Sequence, residues 1–215
     1  MAKLGAALAT AVIVLSQSLL LVTPTYADNI FAEWTTVRVP SPPDVKPVTI
    51  EAKRTALLLF DFTNQTCTPE RRPRCAANVP NLQKLLSKAR AEGMFVVYSV
   101  PGAGSTAKDI LNAIAPLGDE PVLPPLGPDK FLSSDLESVL RSRGIEALIL
   151  TGTAAHTTVL HTGSSAALRG FKVVVPVDAM ASNEPFSELY TTWHLANAAR
   201  IMNQVTLTTV SMIDY

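Results

Sequence analysis

Five short runs of apolar, mostly branched residues recur along this chain: TALLLF, MFVVYSV, EALILTG, FKVVVPV and QVTLTTV. None alternates cleanly between apolar and polar, as a strand with one wet face would. The pattern fits parallel strands buried on both faces. Between the runs lie segments with helical spacing. VPNLQKLLSKARAEG sets Leu82, Leu85, Leu86 and Ala89 on one face and stops at Gly93. SSDLESVLRSRG does the same with Leu136, Val139 and Leu140, capped by Ser133 or Ser134 and closed by Gly144. VLHTGSSAALRG and PFSELYTTWHLANAARIM supply two more helices. Strand and helix in alternation predict an α/β fold, a three-layer α/β/α sandwich around a mostly parallel sheet.

A chain of 215 residues suffices for one substantial core, and 47% apolar with 17% charged residues suits a folded globular protein. Eighteen basic side chains balance eighteen acidic ones, with no basic stripe, which argues against nucleic acid as a partner. Proline clusters in VPSPPDVKP and EPVLPPLGPDK, which read as ordered loops or linkers. No internal repeat is visible.

The start of the chain has its own chemistry. MAK is weakly basic, GAALATAVIVLSQSLLLV carries no charge, and TPTYA places Thr25 and Ala27 at the minus-three and minus-one positions of a cleavage site. This order reads as a secretory signal peptide cut after Ala27. The competing reading is an uncleaved helical anchor, since the apolar stretch is near bilayer-spanning length. Small polar residues close the run and no basic stop-transfer cluster follows, which favours cleavage. The expected organisation is therefore a signal peptide at 1–27, an extension at 28–50 and a single domain at 51–215. The mature protein is expected in the periplasm or secreted, with no stable membrane span.

Cys67 and Cys75 are the only cysteines, eight positions apart in NQTCTPERRPRC. In an oxidising compartment such a pair reads as a disulfide, and a bridged thiol cannot act as a nucleophile. No other cysteine or histidine lies near them in sequence, so zinc is not expected there.

In open α/β sheets, ligands bind beyond the carboxyl ends of the strands. Asp61 directly follows TALLLF, Thr151 through His156 complete EALIL, Asp178 follows KVVVPV, and Lys130 sits in GPDKF before a helix. Each has a plain structural alternative. Asp61 and Asp178 suit turns or caps, Lys130 suits a solvated surface, and His194 beside Trp193 suits packing.

The ordered set LLLFDFTNQTC, GPDKF and LILTGTAAHTTVLHT resembles the isochorismatase-like hydrolase superfamily from about Thr55 to the end of the chain. The resemblance implies a parallel sheet of about six strands flanked by helices. Most members hydrolyse amides with an aspartate, a lysine and a cysteine through a thioester. Asp61 and Lys130 match the first two, but Thr158 stands where the cysteine belongs: G-V-x-T-D-x-C-V in relatives reads Gly152-Thr-Ala-Ala-His-Thr-Thr158-Val159 here. Thr158 has two readings, a poor nucleophile needing a strong base, or a helix-start threonine bonded to backbone.

True isochorismatases also lack the cysteine, and their turn, similar to G-V-Y-A-H-x-G, matches Ala155-His156. In that chemistry Asp61 would protonate a vinyl carbon, helped by apolar walls from Leu59, Phe60 and Phe62, with Lys130 as electrostatic partner. His156 would be either a structural hydrogen-bonder or a catalyst. Substrate contacts are expected from Gln65, Ala154, Ala155 and His156, with a cis or strained peptide near Ala154-Ala155. A dianionic substrate would require further cations, and Arg71, Arg72 and Arg74 qualify if the disulfide loop folds over the site. The Asp-x-His metal pattern of the nicotinamidase branch has no counterpart, so neither metal nor organic cofactor is expected. The expectation is an exported hydrolase of a small carbonyl, amide or enol-ether compound. The alternative is a non-catalytic small-molecule-binding protein on the same fold. Relatives commonly associate through helices beside the site, which raises a homo-oligomer.

Overall fold

The strands form where the apolar runs lie. A computed structural model describes residues 29–125, 127–132 and 134–215, so the expected signal peptide and Ser133 fall outside the described residues. Residues 29–39 contain a short helix, α1 (Ile30–Glu33), capped by the Asn29 side chain. From Pro40 onward one unit continues to Tyr215. Its strands are β1 (Val48–Thr49), β2 (Thr55–Phe60), β3 (Phe95–Ser99), β4 (Val122–Leu123), β5 (Ala147–Thr153), β6 (Lys172–Pro176), β7 (Met180–Ala181), β8 (Val205–Thr208) and β9 (Ile213–Asp214). Its helices are α2 (Pro73–Ala91), α3 (Leu136–Ser142), α4 (Leu160–Leu168) and α5 (Pro185–Asn197).

The main sheet has seven strands, in the order β4-β3-β2-β5-β6-β8, with β7 pairing β5; every pairing is parallel. β6 and β7 share one edge of β5, β6 against Ala147–Ile149 and β7 against Gly152 and Thr153, which accounts for the strand beyond the expected six. β1 pairs with β9, and the Lys46 amide donates to the Leu207 carbonyl, so residues 40–50 pack with the domain.

The continuous apolar runs serve two cores. Leu57 and Leu59 join Leu82, Leu85, Leu86 and Ala89 of α2 on one face. Ala56, Leu58 and Phe60 join Leu136, Leu160 and Leu195 of α3, α4 and α5 on the other. Alternate residues of β2 are thus buried on both sides, as the missing polar alternation requires.

α2 begins at Pro73, earlier than the sequence suggested, and carries Pro80 in its interior. Pro73 at the first turn needs no amide partner. α3 receives a bond from Leu136 N to Ser134 Oγ, and Gly93 and Gly144 take positive φ just past α2 and α3. Among the described residues no helix is long and apolar enough to cross a membrane.

The chain leaves β2 towards β3 and β4 on one side, and β5 towards β6 and β8 on the other. The order reverses between β2 and β5, and a doubly wound sheet opens its ligand crevice at such a point.

Candidate active site

Asp61 is the first residue past β2 and takes a left-handed backbone, φ 63°. Aspartate tolerates this region better than most residues. Two bonds hold the turn: the Asp61 amide donates to the Ser99 carbonyl at 3.1 Å, and Thr66 Oγ1 donates to the Asp61 carbonyl at 2.8 Å. The carboxylate therefore stands at the reversal between β2 and β5.

Lys130 arrives from the proline-rich loop. Its amide donates to Thr162 Oγ1 of α4 at 3.1 Å, and its carbonyl accepts from Ser134 Oγ at 2.6 Å. Phe131 beside it is buried and stacks on Phe171. So pinned, Lys130 is 1% exposed, and its Nζ donates to both carboxylate oxygens of Asp61 at 3.1 Å. The surface alternative for Lys130 is wrong for this fold.

Thr158 completes the group. The Thr153–Ala154 peptide is cis, one residue before the expected position. Ala155–Val159 then forms a single wide π turn that leads into α4. The amides of Thr157 and Thr158 both donate to the Ala154 carbonyl, while buried Thr158 Oγ1 donates to Asp61 Oδ2 at 2.9 Å. The expected backbone bond for the Thr158 hydroxyl is therefore corrected, because the wide turn directs it inward to a carboxylate. The amides of Ala155 and His156, first in the turn, donate to no backbone carbonyl among the described residues.

Ser99, last in β3, was missed by sequence reasoning. It pairs with Phe60, and its Oγ donates to Asp61 Oδ1 at 2.6 Å. Its place at a strand's carboxyl end was the available signal. Asp61 thus accepts from Ser99, Thr158 and twice from Lys130. Leu59, Phe60 and Phe62 are buried in the cores, and donors surround the carboxylate where apolar walls were expected.

The remaining expected residues divide. Ala155 is buried and Ala154 half-buried beside the group. His156 is exposed, with Nδ1 3.0 Å from Ser182 Oγ. Gln65 turns away, its amide donating to Asp109 Oδ1 at 3.1 Å. Asp178 ties loops together, accepting from the Val210 amide and from Asn81. His194 lies on α5 near Tyr190, and Trp193 lines a separate groove with Ser41, Asp44 and Lys46.

Cys67 and Cys75 form a disulfide, both ends buried. Within the loop it closes, Arg71 donates to the Gln65 carbonyl, while Arg72 reaches Thr153 and Asn183. Arg74 pairs with Glu188. Among the described residues no group of three or more His, Cys, Asp or Glu side chains is arranged to hold a metal.

This chain is similar to several known proteins. The isochorismatase domain profile matches residues 55–209. The secreted isochorismatase effector Isc1 of Verticillium dahliae is 26% identical over 150 residues, covering 65% of this chain and 79% of that protein. The N-carbamoylsarcosine amidase of an Arthrobacter species is 27% identical over 161 residues, 61% of each chain. The crystal structure of an isochorismatase family protein from Desulfovibrio vulgaris superposes with a TM-score of 0.66 at 23% identity, covering 74% of this chain and 95% of the other. With the parallel sheet and the site at its reversal, the profile match across most of the domain establishes that the chain belongs to the isochorismatase-like hydrolase family.

Proposed function

We propose that this chain is an exported hydrolase of a small carbonyl, amide or enol-ether compound, using Asp61 for proton transfer, with Lys130 as its electrostatic partner, and no cysteine. The observation that carries the reading is the buried Asp61–Lys130 pair with the Thr158 hydroxyl on its free edge. A desolvated ion pair is costly relative to apolar packing, so its presence at the reversal of the sheet speaks for use. Asp61 accepts four hydrogen bonds through its two carboxylate oxygens, so it faces its neighbours as an acceptor and not as a donor. That favours attack on a carbonyl or amide over protonation of an enol ether.

In this mechanism a water enters beside Thr158 and gives its proton to Asp61 as its oxygen bonds to the carbonyl carbon. The amides of Ala155 and His156 receive the developing oxyanion. When the tetrahedral intermediate collapses, Asp61 returns the proton to the leaving nitrogen or oxygen. Lys130 holds the carboxylate in place throughout. A second reading rests on the 2.9 Å contact itself: Thr158 Oγ1 attacks the carbonyl carbon as Asp61 takes its proton, the bond to the leaving nitrogen or oxygen breaks as Asp61 passes it that proton, and water then hydrolyses the ester to restore Thr158.

Export rests on the leader-like segment 1–27, on the disulfide and on the likeness to a secreted protein. The test is a hydrolysis screen of the chain from Asp28 onward against amides, esters and enol ethers, beside Asp61→Asn, Lys130→Ala and Thr158→Ala. Turnover lost in Asp61→Asn but retained in Thr158→Ala supports water attack. Loss in both, with a substrate-derived mass on Thr158 in the parent, supports the ester route. No turnover on any class, with a ligand still raising the melting temperature, would establish the binding-protein alternative instead.

A further inference from the structure

The outer face of α5 carries an aromatic row that neither core uses. Phe186, Tyr190 and Trp193 recur at helical spacing and are 61%, 43% and 39% exposed, while Thr191 and Leu195 on the opposite face are buried. The rings of Phe186 and Tyr190 lie with centres 6.5 Å apart and planes 23° from parallel, close enough for one ligand to span both. Asn197 continues the row, which runs for about 16 Å given the rise of an α-helix. Its Nδ2 donates to the Trp193 carbonyl at 2.8 Å, which leaves Oδ1 as an acceptor. Apolar side chains gathered in an exposed row mark a binding surface, where scattered ones do not.

At its carboxyl end the row meets a groove of about 400 Å³, lined by Trp193 and Asn197 together with Asp44 and Lys46. The Lys46 amide donates to the Leu207 carbonyl at 2.8 Å, so this wall is fixed to β8, the edge strand, two strands away from β5. Asp44 and Lys46 form no ion pair and no side-chain hydrogen bond among the described residues. The groove therefore offers a flat aromatic ring, an acid, a base and an amide oxygen, with its charges in balance. A pyranose ring has the complementary chemistry, with C–H groups on its faces and hydroxyls on its rim that donate and accept. The apolar helix of a protein partner, laid on the same row, would bury Asp44 and Lys46 without partners, which is costly. Hydroxyls pair with both.

We infer that α5 and residues 41–46 form a saccharide-binding site, and that its ligand is a neutral, β-linked oligosaccharide whose rings lie along Trp193, Tyr190 and Phe186. Sugars with equatorial hydroxyls, of the glucose, xylose or N-acetylglucosamine kind, present the flattest C–H face to such a row. One ring stacks on Trp193 while its hydroxyls reach Asp44, Lys46 and Asn197, and further rings of the same chain follow α5. The site shares no residue with the Asp61–Lys130 pair, so it stands or falls without the hydrolase reading.

The experiment measures binding of cellohexaose, xylohexaose and chitohexaose, each beside its own disaccharide, by calorimetry to the chain from Asp28 onward. At least one hexamer is expected to bind about tenfold more tightly than its disaccharide, because only the longer chain reaches Phe186. Trp193→Ala should weaken both lengths by about tenfold, and Phe186→Ala the hexamer alone by about threefold. Asp44→Asn should weaken both lengths by about threefold with the aromatic row intact. Phe186 and Asp44 are exposed, so their variants keep the test open even where Trp193→Ala unfolds the chain. A row with a structural role alone would lower the melting temperature and leave the ratio of hexamer to disaccharide affinity unchanged. Failure of all three sugars to bind, or binding that Phe186→Ala and Asp44→Asn leave unaltered, overturns the inference. A sedimenting dimer that binds no sugar and that Phe186→Ala dissociates would give the row to a second copy of the chain, and overturns it too.

Discussion

Lys130 Nζ lies 3.1 Å from both carboxylate oxygens of Asp61, a residue 69 positions earlier, and the two side chains are 1% and 6% exposed. Neither end of this pair can be removed cheaply, because the survivor keeps its burial and loses its counter-charge. Lys130→Met is expected to cost about 3–5 kcal/mol of stability. The double variant Asp61→Asn with Lys130→Met should cost clearly less than the sum of the two single changes. Urea unfolding of the four proteins gives the coupling. Strict additivity would mean that the pair contributes nothing beyond its separate parts.

Much of this arrangement was legible in the sequence, for a physical reason. Strands buried on both faces must be continuously apolar, so TALLLF and EALIL announced themselves, and the rule for parallel sheets then put Asp61 and the 151–156 turn at the same end. Lys130 was legible only as a candidate, since a lysine in a loop is usually solvated. What escaped was short or depended on tertiary context. β4 and β7 have two residues each, too few to show a period. The start of α2 at Pro73 lay six residues before the segment VPNLQKLLSKARAEG that showed helical spacing, although proline suits the first turn. The wide turn at Ala155–Val159 has no sequence signature, and without it the Thr158 hydroxyl would not be known to face Asp61.

Gly152 shows how tightly that turn is seated. A Cβ built there would lie 3.0 Å from Val159 Cγ2 and 3.3 Å from Phe60 Cβ. Val159 is buried, closes the turn that carries Thr158, and is stiff at its first side-chain torsion. Gly152→Ala is therefore expected to destabilise by about 1–3 kcal/mol and to shift Thr158 relative to Asp61. Denaturant unfolding reads the first effect and a crystal structure of the variant the second. A variant as stable as the parent would show that Val159 can move aside.

The Cys67–Cys75 bridge closes a short loop, eight positions in sequence, with both cysteines buried and Cys75 in the first turn of α2. Its removal in the Cys67→Ala, Cys75→Ala double variant should cost about 2–3 kcal/mol on the chain-entropy model, and lower the melting temperature by several degrees. Calorimetry of the double variant checks both. An unchanged melting temperature would mean that the buried loop is held by packing alone.

Alkaline pH tests the other end of α2, where Arg90 lies in the last turn. Tyr98 is 1% exposed and its hydroxyl accepts from Arg90 Nη2 at 3.0 Å. Burial, then the nearby charge of Glu120, raise its phenol well above the ordinary value of 10.0. Tyr215 is pushed up to about 12, by burial and then by Glu92. Both phenols keep their protons in the folded chain at pH values where the unfolded chain has lost them. Their contribution to stability is complete below the unfolded value and is lost as pH climbs through the folded one. Stability should therefore be level near pH 9 and fall above about pH 10, with Tyr98 contributing a slope of up to about 1.4 kcal/mol per pH unit. Urea midpoints at about pH 9 and about pH 11 measure that slope, and Tyr98→Phe should flatten it at a constant cost of about 1 kcal/mol from the lost hydrogen bond. An equal slope in Tyr98→Phe would place the alkaline sensitivity on other groups.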